Sequence, residues 1–244
     1  MAKPLFLKAE WKNLLMVNYQ VDPQILKPFL PPGTELDLWQ GKALVSMVGF
    51  MFLNTSVLGV KWPFHINFEE VNLRFYVRHF DGSVWKRGAV FVSEIVPKPI
   101  IDFFANTLYK EHYSAMPMRH SVVQVDEGFT RYLYEWKKRG NWNKLGATVA
   151  NDFADIKPGS EEEFIFEHYW GYNTLHANTT TEYQVEHISW QTATCTDSIF
   201  EANVALLYGK EFEPYLMAKP HSVFFAKGSE IGVRMGQKIR VSGV

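Results

Sequence analysis

The chain has 244 residues, of which 47% are hydrophobic, 21% charged and 16% aromatic, and its formal net charge is -1. These values are typical of a globular protein with a substantial core, and the lack of a basic surplus argues against a nucleic-acid partner. The high aromatic share favours β structure, because aromatic rings pack well on pleated surfaces.

Cysteine usage and hydropathy indicate the compartment. Cys195 is the only cysteine, so no internal disulfide can form, which is typical of a reducing environment. Charges interrupt the N-terminal stretch MAKPLFLKAEWKNLLMVNYQV, and no later run reaches the roughly 18 apolar residues that a membrane span needs. The sequence therefore predicts a soluble, cytoplasmic protein without a membrane partner.

The first predicted elements are a short helix and two strands. Residues 22–30 read DPQILKPFL, where Asp22 can cap a helix that Pro23 begins. Residues 42–53 are apolar on both alternating faces, as expected of a strand buried on both sides. Residues 69–78 read EEVNLRFYVR and alternate almost strictly, which predicts a strand with two unlike faces.

The two faces of this second strand carry different side chains. The apolar face holds Val71, Leu73, Phe75 and Val77, which we expect to pack outward beneath helices. The polar face holds Glu70, Asn72, Arg74, Tyr76 and Arg78. Only a polar face that lines a cavity, and not one that faces water, would form a site.

Further strands and helices complete the chain. Strands are predicted at 88–96, 130–138, 164–172, 181–190 and 222–228. Helices are predicted at 98–111 and at 203–209, the second closed by Gly209. Since no repeat, low-complexity tract or linker interrupts this order, we expect one mainly antiparallel β domain over residues 1–244, with a few helices.

The segments 163–172 and 181–190 predict a hairpin, joined by the polar loop NTLHANTT. A register that places Tyr172 opposite Thr181 collects aromatic side chains on one face and glutamates on the other.

In that register His168 and His187 become diagonal neighbours on the aromatic face. They could be hydrogen-bonded core histidines, groups that move protons or orient a substrate, or metal ligands. Two histidines without a third ligand fall short of a zinc set, so no metal is predicted.

The stretch TLYKEHY contains Lys110, Glu111, His112 and Tyr113 at the end of the predicted helix. If partly buried, such a cluster could serve imine or proton-transfer chemistry; otherwise it is a charged helix terminus in water. The sequence contains no GxSxG, Walker A or helix-opening GxGxxG motif, and it indicates no cofactor.

Several stretches together resemble the YqjF-like proteins, a widespread bacterial family of unknown function. They are NYQVDPQILKPFLPPGTELDLWQGKALVSMVGF, FEEVNLRFYVRH, GAVFVSEIVPKPII, LYKEHYSAMPMRH, SEEEFIFEHYWGY and EYQVEHISW. The resemblance runs in order from about Asn18 to Lys227.

The YqjF-like family is similar, more remotely, to acetoacetate decarboxylase. This resemblance implies an α+β fold that is mainly antiparallel β: a cone-shaped β-barrel with a few flanking helices and a pocket in its mouth. The related enzyme works through a lysine imine, whose pKa an adjacent lysine and an apolar site depress. Its pocket also holds an arginine and two glutamates.

Carried over residue by residue, the resemblance places Glu70 on one pocket glutamate. The second glutamate would fall near Ser46 and the arginine near AEWKN, and neither is present. The lysine pair corresponds best to YKEHY, which has only one lysine, and depending on the gap the reactive position falls on Lys110 or on Glu111. Imine decarboxylation is therefore disfavoured, whereas the barrel and its pocket are expected.

The sequence thus predicts that a small organic carboxylate or carbonyl compound binds in the barrel mouth. The candidates for catalysis are Glu70, His168, His187 and Lys110. The candidates for ligand contact are Asn72, Arg74, Tyr76, Arg78 and Tyr113. A catalytic form would be a lyase, isomerase or hydrolase; the alternatives are a non-catalytic ligand-binding or sensing protein and an interaction protein without a small ligand. The sequence leaves the oligomeric state open, and a homo-oligomer is one of the alternatives.

Overall fold

The computed structural model describes residues 3–97 and 113–241, and strands dominate them. The strands are β1 (Leu5–Val21), β2 (Glu35–Leu36), β3 (Ala43–Val57), β4 (Phe68–Phe80), β5 (Trp85–Val96), β6 (Tyr113–Ala115), β7 (Met118–Gln124), β8 (Phe129–Lys138), β9 (Asn141–Asp155), β10 (Trp170–His176), β11 (Thr179–Glu186), β12 (Gln191–Glu201), β13 (Ser222–Arg234) and β14 (Gln237–Arg240). The helices of this part are a 3₁₀ helix (Pro23–Phe29), α1 (Glu161–Phe166), α2 (Val204–Leu207) and α3 (Glu213–Leu216). None of them has the length and apolar character of a membrane span.

Part of the sheet closes on itself. Its strands follow the order β11-β10-β5-β4-β3-β1-β13, and β13 pairs back to β11 through Val233 opposite Val185. Neighbours in this ring are antiparallel except β10 and β5, and β6 also joins β5 in parallel. Closure leaves the ring without a free edge. The expected mainly antiparallel β-barrel is confirmed.

A second layer of strands lies outside the ring. The sheet continues from β13 into β12, β9, β8 and β7. Gly49 in β3 permits close approach, because a Cβ at that position would stand 2.7 Å from Cδ2 of Tyr134 in β8. The outward side chains Val71, Leu73 and Phe75 share one core cluster with Tyr134. The expectation that this face packs beneath helices holds in part, because α2 and α3 contribute to the cluster and strands cover the face with them.

Most predicted elements are present. The segments 42–53, 69–78, 88–96, 130–138 and 222–228 lie within β3, β4, β5, β8 and β13. The helix at 22–30 is the 3₁₀ helix, and Oδ1 of its cap Asp22 accepts from the backbone N–H of Gln24 at 2.9 Å. Gly209 ends the helix predicted at 203–209 with φ of 109°. The predicted helix at 98–111, with Lys110, falls outside the described residues.

The strand predicted at 164–172 is wrong in its first part, where α1 ends. Oγ of Ser160 accepts from the N–H of Glu163 at 3.2 Å, while Oε2 of Glu163 accepts from the N–H of Gly159 at 2.7 Å. Acidic side chains in the first turn also suit the positive end of a helix. Residues 164–166 are all buried, which suits a helix packed into one end of the barrel.

The hairpin of β10 and β11 exists, but its predicted register is wrong. Tyr172 lies opposite Glu182, not opposite Thr181. Glu182 can face the tyrosine because it accepts hydrogen bonds from Tyr172 at 3.1 Å and Gln237 at 2.6 Å, and pairs with Lys86 at 3.1 Å. Sorting glutamates and aromatics onto opposite strand faces does not predict the register of this hairpin. A glutamate buried among aromatic side chains is stable when it has hydrogen-bond and ion-pair partners there.

Candidate functional site

A cavity of about 390 Å³ lies inside the ring of strands. Apolar and aromatic side chains form most of its wall, and the volume is in the range of small-molecule sites. Its polar lining consists of Thr55, His65, Glu70, Asn72, Arg74, Glu94, Tyr113, His168 and Tyr183.

Strand β4 supplies three of the polar groups. Alternation directs Glu70, Asn72 and Arg74 to the same face, and all three line the cavity. Glu70 is 3% exposed and Asn72 is 2% exposed, whereas Arg74 is half-buried. The polar face of β4 therefore looks into the cavity and not into bulk water.

The carboxylate of Glu70 is held by neighbouring donors. Nδ2 of Asn72 donates to Oε1 at 2.9 Å, and the hydroxyl of Tyr113 in β6 donates to Oε2 at 3.2 Å. These bonds orient the carboxylate within the wall. Tyr113 thus contacts the proposed acid–base group directly.

A second cavity carboxylate, Glu94, was missed in the sequence. It lies in β5 opposite Asn72, lines the cavity and is 2% exposed. In an antiparallel pair this makes it a diagonal neighbour of Glu70, roughly 7–8 Å away at the backbone. The available signal was a single carboxylate inside the otherwise apolar strand GAVFVSEIV.

His168 is buried at one end of the cavity. Its Nε2 lies 3.2 Å from Oδ2 of Asp37, which also accepts from Nε of Arg87 at 2.6 Å. Burial lowers the pKa of His168 to about 4, against the opposing effect of Asp37. Burial alone would raise the pKa of Asp37, but the hydrogen bonds from His168 and Arg87 outweigh it and lower that pKa.

These shifts define the protonation state of the His168–Asp37 pair near neutral pH. Asp37 is ionised and can only accept, so the neutral imidazole donates from Nε2 and Nδ1 carries a lone pair. Within the described part of the chain, this buried Nδ1 has no hydrogen-bond partner. The neutral imidazole of His168 therefore keeps an unused acceptor, and a base, in the cavity wall.

Arg74 is a cation without an ion-pair partner among the described residues. Its Nη2 lies 3.4 Å from the carbonyl oxygen of Ile165 and 3.5 Å from Sδ of Met16, and both contacts are long. Its buried Nε has no hydrogen-bond partner in the same residues. A guanidinium in this state is suited to bind an anion.

Tyr76, predicted as a ligand contact, lies beneath the cavity and does not line it. Ser46 donates to Oδ1 of Asn18 at 2.6 Å, so the 2.6 Å bond between Ser46 and Tyr76 has the tyrosine as donor. The Tyr76 ring packs against the imidazole of His168 with a centroid distance of 4.6 Å. Tyr76 therefore positions the imidazole of His168 through ring packing.

Arg78 lies at the outside of the barrel. Its Nε donates to Oε1 of Glu35 at 2.6 Å, and its guanidinium lies 4.4 Å from the ring centroid of Trp85. The side chain is 42% exposed. Strand β4 extends beyond the cavity, so Arg78 lies outside it although it shares a strand face with Arg74.

His187 does not join His168. It follows the end of β11, and its ring stacks on that of Trp190 at 4.1 Å and lies tilted against that of Tyr169 at 4.7 Å. Nδ1 donates to the carbonyl of Ile188 at 2.8 Å, and burial lowers the pKa of the imidazole. The predicted pairing on one strand face is wrong because β11 ends at Glu186. Among residues 3–97 and 113–241, no three potential metal-ligating side chains lie together.

Comparison with solved structures finds the same fold in acetoacetate decarboxylase and other enzymes, which confirms the predicted acetoacetate decarboxylase-like fold. The enduracididine biosynthesis enzyme MppR complexed with pyruvate has a TM-score of 0.65 at 17% identity, over 98% of this chain and 91% of that one. Acetoacetate decarboxylase from Legionella pneumophila subsp. pneumophila str. Philadelphia 1 has a TM-score of 0.64 at 15% identity, over 98% and 89%. An acetoacetate decarboxylase-like enzyme from Sphingomonas wittichii RW1 has a TM-score of 0.64 at 14% identity, over 99% and 95%. At these identities the likeness shows the fold alone.

Sequence comparison shows the family. The uncharacterized protein YqjF of Bacillus subtilis (strain 168) is 34% identical over 74 residues, which are 30% of this chain and 31% of that protein. The profile of DUF2071, described as an uncharacterized conserved protein, matches residues 8–230. The chain therefore belongs to the DUF2071 family.

Proposed function

We propose that the cavity binds a small organic carboxylate, or a carbonyl compound that carries one, with its anionic group on Arg74. The state of Arg74 supports this proposal. A partly buried cation is costly without a counter-charge, and the described residues provide no ion pair for it. A carboxylate in the cavity would accept from the guanidinium, which favours bidentate geometry.

The finer proposal is that bound ligand exchanges a proton next to its carbonyl group, as in a lyase or an isomerase. Its support is the lone pair on Nδ1 of His168, a buried base kept neutral in the same cavity. Glu70, oriented by Asn72 and Tyr113, is the second proton-transfer group. The alternative is a binding or sensing protein that uses Arg74 without turnover.

Binding is tested first, with pyruvate and acetoacetate as probes and acetone as the carbonyl compound without a carboxylate. Ligand at 100 times its Kd stabilises the folded state by about 2.7 kcal/mol, which a thermal-shift assay detects. We expect the acids to stabilise the protein and acetone not to. If neither acid, nor any carboxylate in a wider metabolite panel, shifts the unfolding temperature, the proposal fails.

Arg78 provides a matched control on the same strand. Arg74→Gln should abolish the shift by the acids, whereas Arg78→Gln should keep it, because Arg78 is outside the cavity. Equal binding by wild type and Arg74→Gln would contradict the placement of the anion.

Turnover is tested by proton exchange. With pyruvate in deuterated buffer, proton NMR follows loss of the methyl signal as a proton leaves carbon for His168 and a deuteron returns. We expect exchange with wild type and at least a tenfold slower rate with His168→Gln, at unchanged binding. Binding without enzyme-dependent exchange would favour the non-catalytic alternative. Borohydride trapping followed by mass spectrometry separately tests an imine on Lys110.

A further inference from the structure

We propose that the ligand is amphipathic, with its carboxylate on Arg74 and an alkyl or aryl tail that extends along the barrel to Trp62. This inference rests on the proposed function of the same cavity and specifies its ligand class. The cavity has a polar, closed end and an apolar, open end, and a ligand with the same division matches both.

The closed end is defined by Arg74 and His168. Arg74 contacts the backbone of Ile165 in α1, and the side chain of His168 is 1% exposed. Helix α1 therefore lies across this end of the barrel. A ligand cannot extend past it without displacing the helix.

The open end is defined by the loop that follows β3. Leu58, Val60 and Trp62 line the cavity, yet they are 64%, 51% and 52% exposed. Side chains that both line a cavity and face solvent mark its mouth. Large apolar side chains gathered at such a position mark a surface that binds apolar groups.

The cavity wall is long enough for a tail. Phe68 and Arg74 both line the cavity and lie six positions apart on β4, a span of roughly 20 Å at the rise of a strand. A two- or three-carbon acid on Arg74 would occupy only the closed end. A longer ligand is needed to reach Trp62.

Aromatic rings form the path between the ends. The Trp11 ring lies 5.3 Å from that of Phe50 and 5.8 Å from that of Phe52, and Phe52 stacks on Phe68 at 4.7 Å. All four side chains line the cavity. Burying this aromatic surface against an apolar tail is favourable in proportion to the area removed from water. A ligand made only of polar groups would not obtain that gain.

The mouth loop is held in place before any ligand arrives. Val57 and Val60 exchange two backbone hydrogen bonds of 3.0 Å, and the N–H of Leu58 donates to the carbonyl of Phe6 at 2.8 Å. A preformed apolar mouth needs little ordering on binding. Because three of its exposed side chains continue the cavity wall, we assign the surface to the tail of the cavity ligand.

The test is a series of straight-chain carboxylates from three to sixteen carbons, measured by calorimetry below their critical micelle concentrations. Affinity should rise about fourfold for each methylene, until the tail reaches the mouth and the gain stops. Arg74→Gln should weaken every acid. Alcohols of the same lengths should bind less tightly than the acids.

Two variants in the mouth loop locate the tail. Trp62→Ala should lower the affinity for the longest acids about tenfold and leave the three-carbon acid unchanged. Phe64→Ala is the matched control, because Phe64 is 87% exposed in the same loop and does not line the cavity. It should leave both acids unchanged.

The outcomes separate the two proposals. Short acids that bind through Arg74 with no gain along the series would overturn the tail and keep the proposed function. Acids and alcohols that bind equally well, without effect of Arg74→Gln, would overturn the proposed function. Absence of binding at every length would overturn both. Equal losses in Trp62→Ala and Phe64→Ala would overturn the path to Trp62.

Discussion

Nε2 of His168 lies 3.2 Å from Oδ2 of Asp37, although 131 positions separate the two residues. Asp37 follows β2, whereas His168 lies between α1 and β10. The contact joins parts of the chain that approach each other only when the barrel closes. It also sets the tautomer that leaves a lone pair on Nδ1, on which the proposed chemistry depends.

The buried state of His168 predicts a pH-dependent stability. Its folded pKa of about 4 lies below its ordinary value of 6.5, so between these values the unfolded chain binds a proton that the folded chain does not. The free energy of unfolding must therefore fall as the pH drops from 6.5 towards 4. At pH 5 the loss from this group is about 2 kcal/mol.

A glutamine at this position separates His168 from the other titrating groups. His168→Gln keeps a donor for Asp37 but does not titrate, so its free energy of unfolding should fall less between pH 7.5 and pH 5. Urea unfolding of both proteins at the two pH values measures the difference. Identical pH dependence would show that His168 titrates normally in the folded protein.

The hydrogen-bond chain below the cavity predicts a stability cost for Ser46→Ala. Ser46, Asn18 and Tyr76 are at most 1% exposed, so removing the hydroxyl leaves the tyrosine donor and the amide oxygen without their partner. We expect a loss of about 1–3 kcal/mol in urea unfolding. Thr130→Ala is the control, because its bond to Asn151 is exposed and its removal should change stability by no more than about 0.5 kcal/mol.

The close contact of Gly171 and Tyr183 predicts that an added methyl group is destabilising. Gly171 in β10 lies opposite Tyr183 in β11, and a Cβ on the glycine would overlap the tyrosine ring. Both residues line the cavity. Gly171→Ala should therefore lower the free energy of unfolding by about 1–3 kcal/mol.

Gly128 is the matched control for this substitution. A Cβ there would meet only Oδ1 of Asp126, at an ordinary distance of 3.5 Å. Gly128→Ala should leave the unfolding curve nearly unchanged. If both variants lose the same stability, the ring contact is not the cause.

The single cysteine predicts slow chemical labelling. Burial raises the pKa of the Cys195 thiol to about 12, so at pH 8 only about one molecule in ten thousand carries the thiolate. A disulfide reagent should modify the folded protein at least a hundredfold more slowly than the protein in concentrated urea. Similar rates in both states would show an accessible, ordinary thiol.

Local sequence patterns are reliable where one physical requirement dominates. The alternation of residues 69–78 reflects a strand with two differently buried faces, and β4 has those faces. The same reasoning fails at 164–166, where aromatic spacing suggested a strand. Ser160 and Glu163 decide that segment instead, because their capping bonds and the burial of three consecutive side chains favour a helix.

The resemblance to known families predicted the barrel, its pocket and the position of Glu70, because a fold of this size is specified by many residues along the chain. It did not predict Glu94, nor the pairing of Arg78 with Glu35 outside the barrel. Such positions depend on the pairing of β4 with β5 and on where each strand leaves the ring. Neither is visible in a single segment.

Taken alone, the sequence determined that the chain forms a strand-rich protein, which residues of β4 share a polar face, and that no disulfide holds the fold. Only the tertiary structure decided that His168 contacts Asp37 and that His187 does not join this pair. It also decided that Arg74 contacts a carbonyl oxygen and a thioether sulfur instead of a carboxylate. Periodicity is a property of neighbouring residues. Burial, charge compensation and pKa depend on side chains that the closed sheet brings together from distant positions.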